Sequence, residues 1–207
     1  MSATNRGSER RKDDFYATPS WCVRALLRTV DLPGGAWFEP AVGDGAIVRA
    51  VNEVRQDVSW TIADIADRLP NPDNVPFGYQ PGFCIFGSPY TADGFGWDHS
   101  EDVVITNPPY SQALDFVKGA MKDGKIVVML LRLNWLASKA RNRFLLDNPP
   151  SVYVLPKRPC FTGDGKTDSC EYAWFVWGLH DRPECRVISM EDCEADLSVA
   201  LAREVKP

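Results

Sequence analysis

The sequence lacks the features that mark membrane-spanning, secreted and zinc-binding proteins. No apolar run approaches the roughly 18 residues that a membrane helix requires. Residues 1–12 are polar and basic, without the apolar core of a secretory signal. The six cysteines have no Cys-x-x-Cys spacing, and neither of the two histidines stands at zinc-finger spacing from them. We therefore expect a cytoplasmic protein with reduced thiols, no metal and no membrane partner.

The chain also has no excess of positive charge. Its 207 residues carry 23 Lys and Arg against 28 Asp and Glu, which gives a net charge of −5. A protein that coats nucleic acid nonspecifically is normally basic, so this class is disfavoured, although one basic face on an acidic body remains compatible. The length allows one domain with short extensions. We predict a flexible basic arm over 1–13, a single domain over 14–182 and an acidic extension over 183–207.

Apolar segments with helical and strand spacing alternate along the chain. The predicted helices are 19–30, 47–54, 111–121 and 137–146, and the predicted strands are 36–38, 59–63, 84–86, 102–106, 125–131, 151–155 and 172–178. Strands that are continuously apolar favour a parallel sheet covered on both faces. No helix separates the last two strands, which predicts one antiparallel strand at the edge. The fold class is therefore α/β, with a doubly wound, mostly parallel, seven-stranded sheet.

A glycine-rich turn, Glu39-Pro40-Ala41-Val42-Gly43-Asp44-Gly45, joins the first strand to its helix. It is neither the dinucleotide motif Gly-x-Gly-x-x-Gly nor a phosphate-binding loop with Gly-Lys-Ser/Thr. Its two carboxylates would repel a pyrophosphate but attract a cation. Asp64 ends the second strand, nineteen residues after Gly45, where a carboxylate can accept both hydroxyls of a ribose. These features predict a site for a nucleoside with a positive centre, a description that S-adenosylmethionine fits.

A second motif, Asn107-Pro108-Pro109-Tyr110, follows a strand of β-branched residues. Two prolines hold the backbone in a stiff, extended turn and donate no hydrogen bond. The turn presents the Asn107 side-chain carbonyl, the Pro108 backbone carbonyl and the Tyr110 ring. Two acceptors and a stacking surface suit a planar group that carries an NH2, such as the exocyclic amine of adenine.

Together these residues resemble the class I S-adenosylmethionine-dependent methyltransferases, and more narrowly the small adenine-specific DNA methyltransferases of phages and prophages. The resemblance covers about residues 14–178 and implies a Rossmann-like methyltransferase fold. It also implies that the protein acts in the cytoplasm of a bacterial or phage-infected cell. It implies that Asn107 and Pro108 accept from the target amine, that Pro109 stiffens the turn and that Tyr110 stacks on a flipped base. It also implies a cofactor site formed by Tyr16, Thr18, Pro19, Glu39, Pro40, Ala41, Gly43, Asp44, Gly45, Asp64, Ile65 and Asn107.

The chain departs from this family in two respects. Where family members often carry an acid after the third strand, the nearest counterpart here is Ser88. The large target-recognition domain of restriction-linked methyltransferases is also missing, so short or partner-supplied sequence specificity is expected.

A basic segment within 132–166 carries seven Lys and Arg against two Asp, a local charge of +5. It follows strands whose ends carry the predicted site, and we expect it to contact the phosphates of duplex or single-stranded DNA. The predicted nucleic-acid contacts are Arg132, Lys139, Arg141, Arg143, Lys157, Arg158 and Phe161, with Phe161 packing against the flipped base.

The sequence leaves other functions open. The same chemistry on RNA adenine, methylation of a protein glutamine, and a non-catalytic domain that binds nucleic acid or a partner are the alternatives. A helical docking domain of the kind found in release-factor methyltransferases is missing, which disfavours the glutamine substrate. We expect a monomer or a weak dimer.

Overall fold

The structure is a computed structural model, and it describes residues 16–64, 101–162 and 167–194. The helices in these residues are α1 (Ser20–Thr29), α2 (Ala46–Asn52), α3 (Ala113–Asp123), α4 (Asn142–Asp147) and α5 (Met190–Glu194), with a short 3-10 helix at Leu133–Leu136. The strands are β1 (Gly35–Glu39), β2 (Val58–Ile62), β3 (Glu101–Thr106), β4 (Gly124–Arg132), β5 (Ser151–Val154), β6 (Tyr172–Trp177) and β7 (Cys185–Val187). The predicted arm and the predicted strand at 84–86 lie outside the described residues, as does Ser88.

The seven described strands form one sheet in the order β2-β1-β3-β4-β6-β5-β7. Strands β1 to β4 pair in parallel, whereas β6 is antiparallel to both β4 and β5. The predicted α/β class and mostly parallel sheet are confirmed. The position of the antiparallel strand was predicted wrongly, because β6 lies inside the sheet. All six residues of β6 are buried, as expected of a strand paired on both sides and covered on both faces.

Side chains alternate between two cores, one on each face of the sheet. Val103 and Ile105 of β3 belong to the core under α1 and α2, and Val104 between them belongs to the core under α3. In β6, Tyr172 and Trp174 point to the first core, and the Trp174 indole N–H donates to the Cys22 carbonyl of α1 at 2.9 Å. Both faces are thus sealed, which leaves the ends of the strands as the place for a ligand.

The first part of the predicted acidic extension, up to Glu194, packs against the elements described above. β7 pairs in parallel with β5, and α5 packs against α1, where Cys193 is buried and Arg28 donates to the Asp192 carbonyl at 2.8 Å. Only 195–207 of the predicted acidic extension lie outside the described residues. The helix predicted over 137–146 is shorter than expected and runs over Asn142–Asp147. Within the described residues, no helix has the length and apolar character needed to cross a membrane.

Candidate functional site

The carboxyl ends of three neighbouring strands bring the two sequence motifs together. β1 lies between β2 and β3, with Glu39 opposite Ile62 and Phe38 opposite Val104. Glu39 ends β1, Asp64 follows β2, and Asn107 follows β3, so all three lie at one edge of the sheet. Parallel pairing alone produces this convergence from residues far apart in the chain.

The glycine-rich turn folds back onto the end of β2. The Val42 backbone N–H donates to the Ala63 carbonyl at 2.9 Å, and the Gly43 N–H donates to Asp64 Oδ2 at 2.8 Å. Gly43 and Gly45 have φ angles of 55° and 81°, the left-handed region that favours glycine. Asp64 therefore shapes the turn as well as lying where it could accept from a ligand.

Glu39 is a buried acid at the centre of this edge. It is 2% exposed, and its Oε2 has no hydrogen-bond partner among the described residues. Burial, followed by the carboxylates of Asp64 and Asp44, raises the pKa of Glu39 well above its ordinary range. Three clustered carboxyl groups and an orphaned oxygen suit a cationic ligand, so the residues present fit the positive centre of S-adenosylmethionine.

The Asn107 side chain has a defined orientation. Its Nδ2 donates to the Tyr16 carbonyl at 3.1 Å and to Thr18 Oγ1 at 3.2 Å. A backbone carbonyl can only accept, so the amide nitrogen must face residues 16–18. The amide oxygen, Oδ1, is left to accept a hydrogen bond from a ligand. Pro108 beside it is buried and Pro109 is half-buried.

Tyr110 lies in a cluster of aromatic rings. Its ring stacks on Tyr16 with the centroids 5.9 Å apart and lies 5.9 Å from Tyr172. Phe161 packs edge-on against both Tyr16 and Tyr172, at 6.0 and 5.1 Å. The Tyr110 hydroxyl is buried without a hydrogen-bond partner among the described residues, and burial raises its pKa. Phe161 thus belongs to the wall of the site and is itself buried.

Arg132 covers this cluster. Its Cζ lies 4.6 Å from the Tyr110 ring centroid, its Nε donates to the Tyr172 hydroxyl at 3.0 Å, and its Nη2 pairs with Asp168 Oδ2 at 3.2 Å. Burial opposes the charged guanidinium, but the contacts with Tyr172 and Asp168 outweigh it and raise the pKa of Arg132. Sequence reasoning missed Asp168 and Tyr172, because only the pairing of β4 with β6 brings them to the site.

A pocket of about 320 Å³ opens beside the glycine-rich turn. Thr18, Pro19, Asp44 and Phe161 are among its lining residues. Three of the predicted cofactor residues therefore share one cavity. Ile65 lies outside the described residues, and Pro40 and Ala41 begin the turn.

Four of the other predicted nucleic-acid contacts interact with groups of this chain. Arg143 is 86% exposed and pairs with Asp147, while Arg158 pairs with Glu171. Arg141 donates to the Trp135 carbonyl at 2.8 Å, and Lys157 lies 5.1 Å from the Trp21 ring centroid. Lys139 is exposed. A phosphate-contacting role for this surface stays a prediction. The described residues contain no group of His, Cys, Asp and Glu arranged to hold a metal ion.

No family model matches the sequence, and no curated protein is detectably similar to it. Solved structures are similar in fold. A structure assigned as the modification subunit of a type I restriction enzyme from Vibrio vulnificus matches with a TM-score of 0.59 and 16% identity, over 93% of this chain and 54% of that one. A structure assigned as an RNA methyltransferase from Pyrococcus horikoshii matches with a TM-score of 0.57 and 13% identity, over 83% and 92%.

A third similar structure, assigned as a class I S-adenosylmethionine-dependent methyltransferase from Listeria monocytogenes, matches with a TM-score of 0.55 and 15% identity, over 90% of this chain and 69% of that one. Identities this low establish the fold only. The chain has the Rossmann-like fold of the class I methyltransferases, as the sequence predicted.

Proposed function

We propose that this chain, built on the class I methyltransferase fold, transfers a methyl group from S-adenosylmethionine to the exocyclic amine of a flipped adenine in DNA. The observation that carries the proposal is the oriented Asn107 amide. Its nitrogen is occupied by Tyr16 and Thr18, so its oxygen is the atom that can receive an NH2 group. At the same edge of the sheet lie the buried Glu39 and Asp64 and the half-buried Asp44.

Asn107 and Pro108 would hold the target amine. The amine lone pair of adenine is delocalised into the ring, and two hydrogen bonds from the NH2 to fixed acceptors favour a more tetrahedral, nucleophilic nitrogen. Positioning and exclusion of water would then supply most of the rate. The base itself must leave the helix stack or come from a single strand, and the ring of Tyr110 would stack on it.

Glu39, Asp64 and the glycine-rich turn would hold the cofactor. When bound, S-adenosylmethionine supplies an electrophilic methyl group on a sulfonium, which suits direct in-line transfer to the amine. The acidic cluster favours the positive charge of this ligand, and the carboxylate of Asp64 would accept from the ribose hydroxyls.

RNA adenine is the second candidate substrate, because the tetrapeptide holds an amine and does not read the sugar. The similar solved structures include one assigned as a type I restriction modification subunit and one assigned as an RNA methyltransferase, and fold likeness does not choose between these substrates. A protein glutamine also offers an NH2 that fits two acceptors.

The test uses purified protein, tritiated S-adenosylmethionine, and unmethylated DNA, RNA and protein extract in parallel, with the labelled product digested and identified. We expect label in DNA as N6-methyladenine. Label in RNA or on glutamine would support methyl transfer to an NH2 group but would contradict DNA as the substrate. Cofactor binding without transfer to any of the three would contradict catalysis and favour a binding role.

The matched control is Asn107→Ala. We expect it to abolish transfer, because its Oδ1 is assigned to the amine, and to weaken cofactor binding much less, since the other cofactor residues are unchanged. Wild-type rates in Asn107→Ala would contradict the proposal.

A further inference from the structure

The Tyr110 ring does not stand free at the site. Tyr16 stacks on it, and the planar guanidinium of Arg132 lies 4.6 Å from its centroid, within the distance of a cation–π contact. The Tyr110 hydroxyl has no partner within hydrogen-bond distance among the described residues, although it lies near the Tyr172 hydroxyl and the Arg132 guanidinium. The contacts of its ring with Tyr16, Tyr172 and Arg132 are therefore the main determinants of where the side chain lies.

Arg132 is itself held by a polar network. It stands directly opposite Tyr172 in the antiparallel pairing of β4 with β6. Asp168 Oδ2 accepts hydrogen bonds from the Tyr172 hydroxyl, at 2.6 Å, and from Arg132 Nη2, at 3.2 Å. The Tyr172 oxygen also accepts from Arg132 Nε at 3.0 Å. Two residues, one on β6 and one in the loop before it, thus orient the guanidinium through contacts within this chain.

A phosphate contact does not suit this geometry. The Arg132 side chain is 37% exposed, and its charge is already balanced by Asp168. Reaching a phosphate would break the pair with Asp168 and the hydrogen bond with Tyr172. Arg143 also has an ion pair, with Asp147, but its side chain is 86% exposed, and a solvent-exposed pair of this kind costs little to break.

We propose that Arg132 is a positioning residue: with Asp168 and Tyr172 it holds the Tyr110 ring in the place where the target base stacks. The proposal rests on the function proposed above. A ring held before the base arrives needs no ordering at the moment of reaction, so its loss lowers the rate of transfer more than it weakens cofactor binding.

The experiment compares Arg132→Gln and Arg132→Lys with Lys125→Gln. Lys125 lies at the opposite end of the same strand and pairs with Asp102 at 2.8 Å. Its substitution by Gln removes one positive charge, as Arg132→Gln does, but far from the Tyr110 ring. Each protein is tested with tritiated S-adenosylmethionine and unmethylated genomic DNA. The readouts are kcat, KM for DNA, the Kd of the cofactor, and the salt dependence of DNA binding.

We expect Arg132→Gln to lower kcat on the order of tenfold or more, with the cofactor Kd and the salt slope unchanged. Arg132→Lys should recover part of the rate, since it keeps a cation near the ring but loses the planar fork. Lys125→Gln should match the wild type. A salt slope lowered by about one with kcat unchanged would assign Arg132 to a phosphate and overturn the proposal.

Asp168→Asn provides a second route to the same contact, should Arg132→Gln fail to fold. It keeps the size of the side chain and removes the charge that orients Arg132. We expect the same selective loss of kcat in Asp168→Asn alone, and a wild-type kcat in this variant would overturn the proposal. Where Arg132→Gln folds, the double variant should be no slower than Arg132→Gln, because both substitutions act through one network. Additive losses would overturn the proposal. Failure of the proposed function is seen separately, as a wild-type protein that methylates no substrate, and the role of Arg132 would fall with it.

Discussion

At the scale of single residues, the site depends on groups whose polar atoms are only partly satisfied within the protein. Glu39 Oε2 is buried without a partner in the part of the chain that the structure describes, and the carboxylates of Asp64 and Asp44 lie close enough to raise its pKa. A buried polar atom of this kind costs stability unless a ligand satisfies it. The sequence shows that Glu39 is acidic and ends a strand, but not that its oxygen is orphaned.

Substitution of Glu39 by Gln should make the ligand-free protein more stable at pH 8. Because the folded-state pKa of Glu39 lies well above 4.5, the folded protein binds more protons than the unfolded chain above that pH, and stability falls as the pH rises. A neutral Gln removes this loss, with a gain of about 1–3 kcal/mol in the free energy of unfolding. Urea unfolding at pH 5 and pH 8 measures it. The gain in the free energy of unfolding should shrink at pH 5. The control Glu191→Gln, at an exposed position, should show no gain. Equal stability of Glu39→Gln and the wild type at pH 8 would contradict a raised pKa of Glu39.

Thr18→Val should impair methyl transfer through the orientation of Asn107. The hydroxyl of Thr18, a buried residue, accepts from Asn107 Nδ2, and valine leaves this donor with the Tyr16 carbonyl alone. Losing a buried hydrogen bond costs about 1–3 kcal/mol, and a reoriented amide would lower kcat by about tenfold. Steady-state methylation assays measure it. Thr18→Ser keeps the hydroxyl and should retain most of the rate. A wild-type rate in Thr18→Val would contradict a role for the hydroxyl.

At the scale of elements, the glycine-rich turn and the end of β2 act as one unit. The turn is tied by the bonds from Val42 to Ala63 and from Gly43 to Asp64, and its two glycines adopt left-handed φ angles. The turn could be predicted from its glycines, since few other residues accept these angles. The hydrogen bond from Gly43 to Asp64 could not be predicted, because it joins segments that follow two different strands, β1 and β2.

Asp64→Ala should weaken cofactor binding by about 1–3 kcal/mol, because it removes both the acceptor for ribose and the bond that shapes the turn. Isothermal calorimetry with S-adenosylmethionine measures the affinity. Asp57→Asn, which removes an exposed charge just before β2, serves as the control. Unchanged affinity in Asp64→Ala would exclude Asp64 from the cofactor site.

At the scale of the whole molecule, charge is unevenly distributed. The chain has a net charge of −5, whereas residues 132–166 carry an excess of positive charge. The structure divides this basic segment into two groups. Arg132 lies in the polar network of the site, while Lys139 and Arg143 are exposed on the segment that leads into and through α4.

The double variant Lys139→Gln, Arg143→Gln should lower the slope of log K against log salt for DNA binding by about two, one for each lost phosphate contact. Fluorescence anisotropy at several salt concentrations measures it. Arg186→Gln, on β7, is a control for loss of charge elsewhere. An unaltered slope in the double variant would move the DNA-binding surface away from α4.

The sequence by itself determined the α/β class, the two motifs and the strand ends that carry them, because local spacing, glycines and prolines act over a few residues. Only the tertiary structure decided that β6 lies within the sheet, that Asn107 faces Tyr16 and Thr18, and that Asp168 and Tyr172 orient Arg132. These contacts join residues that are between 4 and 91 positions apart, and several of them lie in the segments that flank the strands. Their pairing depends on strand order and register, which burial of the whole sheet decides and no local pattern records.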